Sequence, residues 1–446
     1  MTISAALQGN FRIKYGPWID ALPEISSLAD ALPFQPKERR PGEKYRVPFM
    51  SGIEQGQTAS RAGGLFALNS PIGCTTPYAE LDGSTIIVRA QYAWDDVYAS
   101  LNGNDMSGGG NAGSYQDAMS LKMKAKGMAG SMYRDLALAY GPGAGAVCSS
   151  NIGVVKTTAG GTLATARNVF LTKASWIRGL WPSMTNARVD IYQADGQTVR
   201  SLGVKVNGVP NQNKTQISLG GSGAATGTYP ADGGTVPTAT VTATDIIVPY
   251  GWRTQSCIGL ESVMLTQTGA LWAVPDVSVV PQFRSLLFDA SGPLTRKLIR
   301  QYCALVADNG SKKGGTLKVS GSAFSQLAEE RSTQSRDVND EGGVKTQGES
   351  GLIFMTPAGR VKVEVWDLAK QGQAMYIANT SNAYRIGTTD NTMRPIKGLN
   401  EAFLTPLIDT AGCQSMMYSN QAPFVEQNWH NFLIQGIVSD GDVVDS

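Results

Sequence analysis

With 446 residues, 42% of them apolar, the chain is long enough for two or three domains. A net charge of +2 and only 17% charged residues exclude a field that gathers nucleic acid or a membrane over the whole surface, and let copies pack with little self-repulsion. A single histidine and five scattered cysteines exclude a histidine-rich metal centre and any C-x-x-C site.

The opening "MTISAALQGNFRIKYG" lacks the apolar core of a signal peptide, and no run reaches the roughly 18 apolar residues of a membrane span. Residues 1–46 read as an arm, proline-spaced and ending in the basic "KERRPGEKYR" with Arg39, Arg40 and Lys44. "KYRVPFM" and "STIIVRAQYAW" predict two strands, with Tyr45/Val47/Phe49 and Ile86/Val88 alternating. Residues 51–83 between them are rich in Gly, Ser, Thr and Pro and too long for an ordinary hairpin loop. They carry Leu65, Phe66 and Leu68, apolar groups that a partner surface would bury. The adjacent pair Asp95-Asp96 reads as solvated surface or a cap, since neighbouring side chains diverge on either a strand or a helix.

Next comes "SGGGNAGSYQDAMSLKMKAKGMAGSMYRDLALAYGPG", in which Gly108, Gly110 and Gly113 match G-x-G-x-x-G. A dinucleotide turn follows a buried strand and has an acidic residue about 20 positions on, at the end of a second strand. Here polar "YASLNGNDMS" precedes the glycines, and Asp135 lies within the same helical pattern. The motif fails on both flanks, and no cofactor is expected. Ser114 with Asp117 reads as an N-cap and capping box, and Gly141-Pro142 as a stop. Between them Ala118, Leu121, Ala125, Met128, Met132, Leu136 and Ala139 form one apolar stripe, while Lys122 and Lys126 share another face. The predicted helix, 114–140, is about 40 Å long. Gly127 and Gly130 each cost roughly 1 kcal/mol relative to Ala in a helix interior, which predicts another backbone crossing closely there.

From Ser175 to Val280 the pattern is short strands and turns. "ARVDIYQADGQTV" carries an Asp195-Gly196 hairpin signal. "TQISL" and "TDIIVPYG" read as a strand pair around a Gly-rich excursion. "GPLTRKLIRQYCALVADNG" predicts a helix with Pro293 at N1, a stripe of Leu294, Leu298, Tyr302 and Leu305, and Gly310 beyond its end. "SGSAFSQLAEER" predicts a second helix; "GRVKVEVWDL" and "QAMYIAN" predict strands. "PFVEQNWHNFLIQGI" closes the fold before a short acidic tail. His430, between Trp429 and Phe432, reads as a packed residue. The cysteines (Cys74, Cys148, Cys257, Cys303, Cys413) read as buried free thiols in a reducing compartment. No G-x-S-x-G or Walker lysine motif occurs, and no internal repeat.

An arm, a long apolar-tipped hairpin, a glycine hinge, one long helix and a mixed α/β remainder together resemble the major capsid protein of tailed double-stranded DNA bacteriophages, the Hong Kong 97-type fold. "GWRTQSCIGLESVMLTQTGALWAVPDVSVVPQF" and "IFMTPAGRVKVEVW" are similar to capsid sequences of this kind. The resemblance implies an α+β fold: N-arm 1–46, E-loop hairpin 47–95, P domain 96–183 with spine helix 114–140, A domain 184–355, and strands of 356–446 returning to the P domain. It implies a non-enzymatic shell protein of the virion that self-assembles in the host cytoplasm into pentamers and hexamers around double-stranded DNA. Portal, scaffolding and decoration proteins would be further partners, and no membrane is involved. Leu65, Phe66 and Leu68 would lie on a neighbour. Gly108, Gly109, Gly110 and Gly113 would form the hinge, Gly127 and Gly130 the close contact on the spine helix, and Arg39, Arg40 and Lys44 a DNA-facing arm. Family members that cross-link use a lysine on the E-loop; Ser51–Ser84 contains none, so no such cross-link is expected. No long N-terminal scaffolding segment is expected ahead of the arm. Two other classes compete. One is a glycan hydrolase, for which no carboxylate pair stands out; the other is a tail-tube or decoration protein, against which the long helix argues.

Overall fold

Helix α1, Ala112–Tyr140, is the axis on which the rest is assembled. In the computed structural model the residues described are 28–37, 44–50, 52, 57–59, 68–70, 73, 78–94, 112–143, 150–159, 167–220, 241–274, 276–334, 352–392, 405–406 and 411–438. The helix begins two residues before the predicted cap, so Ser114 is not an N-cap and Gly113 is helical. Alanine at 112 is the best helix former and presents no reason to stop. The Asp95-Asp96 pair and Gly108, Gly109 and Gly110 lie outside the described residues.

The first sheet has β18 (Gly412–Val425) at its centre, antiparallel to β16 (Ala383–Thr392) on one side and β4 (Ser84–Ala93) on the other. β1 (Phe34–Pro36) pairs in parallel with β16, and β17 (Thr405–Pro406) pairs with the start of β18. The β4–β18 ladder runs without a slip from Ser84↔Gln421 to Ala93↔Gly412. β4 is therefore not the hairpin partner of "KYRVPFM". That strand, β2 (Tyr45–Pro48), pairs with β3 (Tyr78–Leu81), four residues that by composition belong to the loop. Too few residues separate β3 from β4 to show in composition.

A closed barrel follows, in the order β10-β5-β6-β9-β8-β7. Its strands are β5 (Gly153–Ala159), β6 (Arg167–Leu171), β7 (Arg188–Tyr192), β8 (Val199–Asn211), β9 (Gln216–Leu219) and β10 (Ile246–Pro249). The β7–β8 turn forms at Asp195-Gly196: Asp195 Oδ1 accepts from the amides of Gln197 and Thr198, both at 2.9 Å, and Gly196 has φ 66°. "TQISL" and "TDIIVPYG" do not pair with each other. β9 sits between β6 and β8, and β10 between β5 and β7. Closure gives each strand two neighbours, so adjacency in sequence no longer dictates pairing. The expected boundary between residues 183 and 184 falls inside this barrel.

Asp190 is fully buried on β7 and pins the barrel from within. Its Oδ1 accepts from the Gly203 amide and its Oδ2 from the Gly251 amide, both at 2.7 Å. Burial outweighs these two bonds and raises its pKa to about 6 from 3.8. A carboxyl whose folded pKa is raised adds stability that is complete below the unfolded value and is lost as pH rises through the folded value. The expected result is that the stability gap between wild type and Asp190→Asn is larger at pH 4 than at pH 7, by up to about 3 kcal/mol. Denaturant titrations of both proteins at the two pH values check it; a gap independent of pH would remove the linkage.

The second sheet, β11-β19-β15-β12-β14-β13, comprises β11 (Leu286–Gly292), β12 (Gly315–Val319), β13 (Leu352–Thr356), β14 (Gly359–Val365), β15 (Ala374–Ala378) and β19 (Phe432–Ile437). Two helices lie on it: Arg296–Asp308 and Gly321–Gln334. A shorter helix, α2 (Leu260–Leu265), precedes them, and they are α3 and α4. Thr295, not Pro293, is the entry to α3; its side chain accepts from the Leu298 amide. The buried face is Ile299, Cys303 and Val306, one residue round from the predicted stripe, and Leu305 is exposed. Both stripes are apolar, and the sheet's position chose between them. The second core joins these helices to Leu317, Val361, Tyr376 and Phe432, while the larger core joins α1 to the barrel and the first sheet.

Candidate functional site

The surfaces that could carry function are built from α1, the β2–β3 hairpin and the contacts at their roots. Only part of the predicted stripe on α1 is core. Ala125 and Met128 are half-buried, Met132, Leu136 and Ala139 are buried, and from Arg134 to Tyr140 every residue is buried. Ala118 and Leu121 fall among the residues whose side chains are not described. The lysine face is not turned to solvent. Lys126 is buried and its Nζ donates to Ser415 Oγ on β18 at 2.7 Å; burial lowers its pKa. The Lys122 ammonium lies 5.4 Å from the Tyr92 ring centre on β4. Long aliphatic stems let lysines cover a sheet while the amine finds a polar partner.

One turn further on, Gly130 completes this face. A Cβ built there would collide with the Met417 side chain on β18, so the close neighbour is a side chain and not a crossing backbone. Gly127 is half-buried. Gly130→Leu is expected to overpack the contact at a cost of about 1–3 kcal/mol. Combined with Met417→Ala the two changes should cost less than their sum; strict additivity of the unfolding free energies would show that the pair is not in contact.

Backbone does cross closely at the C-terminal end of α1. The Gly259 amide donates to the Gly141 carbonyl at 2.8 Å, and a Cβ on either glycine would strike the other segment's backbone. Beside this crossing lies a buried charged node. Lys370 Nζ is 2.5 Å from Glu261 Oε1 of α2, with side chains 3% and 1% exposed. Ser150 Oγ donates to the other carboxylate oxygen, and the ammonium lies 4.7 Å from the centre of the Tyr140 ring. Tyr140 donates its hydroxyl to the Leu368 carbonyl at 2.7 Å and stacks on Trp366. Desolvation lowers the Lys370 pKa against the pull of Glu261, and it holds Tyr140 well above the ordinary phenol value. The node ties α1, α2 and the segment after β14 together.

At the hairpin, Tyr45 and Leu81 are buried at the root, Phe49 packs edge-on to Phe283 at 4.6 Å, and the Glu80 amide donates to the Trp272 carbonyl. Away from the root the described residues turn outward: Met50, Tyr78 and Leu68 are exposed, Leu68 by 79%. Leu65 and Phe66 lie outside the described residues. Of the basic arm, Lys44 lies at the hairpin root and pairs with Asp82 at 3.3 Å, so it is not an uncommitted cation; Arg39 and Arg40 are outside the described residues.

Nothing among the described residues groups three or more metal-ligating side chains. His430 is buried, shares a 3.1 Å hydrogen bond with the Asn309 carbonyl through Nε2, and stacks on Trp429. Cys257, Cys303 and Cys413 are buried free thiols, and burial pushes Cys257 up to about 12 and Cys303 to about 11, far from a thiolate at neutral pH. No helix among the described residues is long and apolar enough to cross a membrane.

No protein-family model matches the chain, and no curated protein matches it. Solved structures do. The capsid asymmetric unit of cyanophage A-1(L) aligns over 95% of this chain and 96% of that one, at 9% identity and a TM-score of 0.50. The chain has a phage capsid fold. The capsid of a native GTA particle aligns over 98% of this chain and 100% of its own at 8% identity, TM-score 0.40. The SrpI encapsulin of Synechococcus elongatus aligns over 100% and 98% at 8% identity, TM-score 0.38. The likeness to the cyanophage capsid is thus one of a mixed helix-and-sheet fold at 9% sequence identity.

Proposed function

We propose that this chain is the major capsid protein of a tailed phage, a shell subunit that self-assembles into pentamers and hexamers around double-stranded DNA. The end-to-end fold match to the cyanophage capsid carries the reading, because neither chain is left with a sizeable unmatched domain. In Hong Kong 97-type terms residues 1–46 are the N-arm, 47–95 the E-loop, and α1 the spine helix of a P domain completed by the first sheet. The second sheet with α3 and α4 is the A domain, and the barrel is a separate unit between the two. Gly108, Gly109 and Gly110 act as the hinge where the E-loop meets α1. Leu65, Phe66 and Leu68 lie on a neighbouring subunit.

Each interface is heterologous and closes into a ring. DNA is met through screened, sequence-independent contacts, to which the arm cations Arg39 and Arg40 contribute. The virion is the site of action, with portal, scaffolding and decoration proteins as further partners. Negative-stain microscopy of the expressed protein, with nuclease treatment, tests the reading: capsomer rings or closed shells are expected. A monodisperse monomer in every buffer and at every concentration would overturn it.

A further inference from the structure

One edge of β4 has no strand against it among the described residues. Its ten residues pair with β18 on one side only, and none of its amides or carbonyls bonds to any other described backbone. The edge contains no proline and no bulge, the devices that usually blunt such a strand. Beside it runs a groove of about 510 Å³, lined by all six consecutive residues Ser84–Arg89 and on the far wall by Tyr133, Tyr250 and Trp252. Consecutive strand residues point to opposite faces, so six in a row line one groove only where it follows the strand's edge. The groove is long enough for about six residues of extended chain. Its charged groups are Arg89 and Arg188, both exposed and neither paired with a carboxylate among the described residues. Ile87, 53% exposed, supplies an apolar contact between them.

We propose that this edge takes an added strand from a second copy of the chain, and that the strand is the acidic segment 438–446, "VSDGDVVDS". Asp440, Asp442 and Asp445 match the two arginines, no basic residue opposes them, and Val443-Val444 are strand formers. Backbone bonds from the β4 edge supply affinity and the arginines select the acidic register. The segment departs from the second sheet, where the Val438 amide bonds the Gly292 carbonyl, and not from the sheet that holds β4, and the donor assigned to it is a second subunit, which the cross-linking below tests. The inference relies on the capsid reading only for the presence of a second copy.

The test uses a full-length chain and one ending at Val438, with the synthetic peptide VSDGDVVDS carrying a fluorophore. Saturable binding to the truncated chain is expected, weakened at least tenfold by Arg89→Glu, a change at an exposed residue that leaves the fold intact. N-methylation of alternate peptide amides should abolish it. Binding indifferent to N-methylation would be charge attraction alone and would overturn strand addition, as would no binding at all. Mixing Ile87→Cys chains with Val443→Cys chains should yield a disulfide-linked dimer. If the doubly substituted chain closes only on itself, the second-copy assignment is wrong. Shells that form normally while the peptide fails to bind would sink this inference and leave the capsid reading standing; binding without shells would do the reverse.

Discussion

A chain in which residues 51–77 are replaced by a short turn joining Met50 to Tyr78 is expected to fold and to form no shells. The hairpin root is self-sufficient: β2 and β3 pair through four register positions, Tyr45 and Leu81 are buried, and Phe49 is held by Phe283. The stretch beyond it contributes Leu68 and Met50 to solvent and, in sequence, Leu65 and Phe66. Because the root does not depend on this stretch, its removal is expected to cost the isolated subunit little. A neighbour that buries it loses an interface of the size that stabilises obligate assemblies, 2,000–5,000 Å² for whole interfaces as an order of magnitude. Circular dichroism and thermal melting should match wild type, while sedimentation shows only subunits or open capsomers. Shells of normal size from the deleted chain would remove the loop from the assembly.

Lys370→Met is expected to be among the most damaging single substitutions in the subunit. It leaves the Glu261 carboxylate 1% exposed, with the Ser150 hydroxyl as its remaining hydrogen-bond donor among the described residues, at a cost of about 3–5 kcal/mol. The loss should appear as a lowered thermal transition. Glu261→Leu together with Lys370→Met removes both charges and should recover most of the loss, because the desolvation penalty disappears with the pair. A double variant as unstable as the single would show that packing around Tyr140 and Trp366, and not the unpaired charge, sets the cost.

Much of the architecture was legible locally. A helix over most of Ala112–Tyr140, two shorter helices after Thr295 and Gly321, the Asp195-Gly196 turn and the alternation of β4 all follow from spacing of apolar residues and turn chemistry. The candidate surfaces were less legible. No periodicity argument selects Lys122, Lys126 and Gly130 as the face of α1 that meets the sheet, because that face is polar by composition and apolar only along its lysine stems. A lysine with a strand serine and a glycine under a methionine become visible as contacts only once β18, nearly 300 residues later, is in place.

The sequence by itself determined the mixed helix-and-sheet class, the long helix and the scarcity of histidine, since each depends on residue type and on spacing within a few turns of chain. Only the tertiary structure decided that β2 takes β3 and β4 takes β18, that six strands close into a barrel, and that Glu261 and Lys370 meet in the interior. The physical reason is that strand edges carry the same amides and carbonyls whatever their side chains, and buried charges show no local pattern. Which edges and charges meet is settled by the total area buried and by every polar group finding a partner, a property of the whole chain.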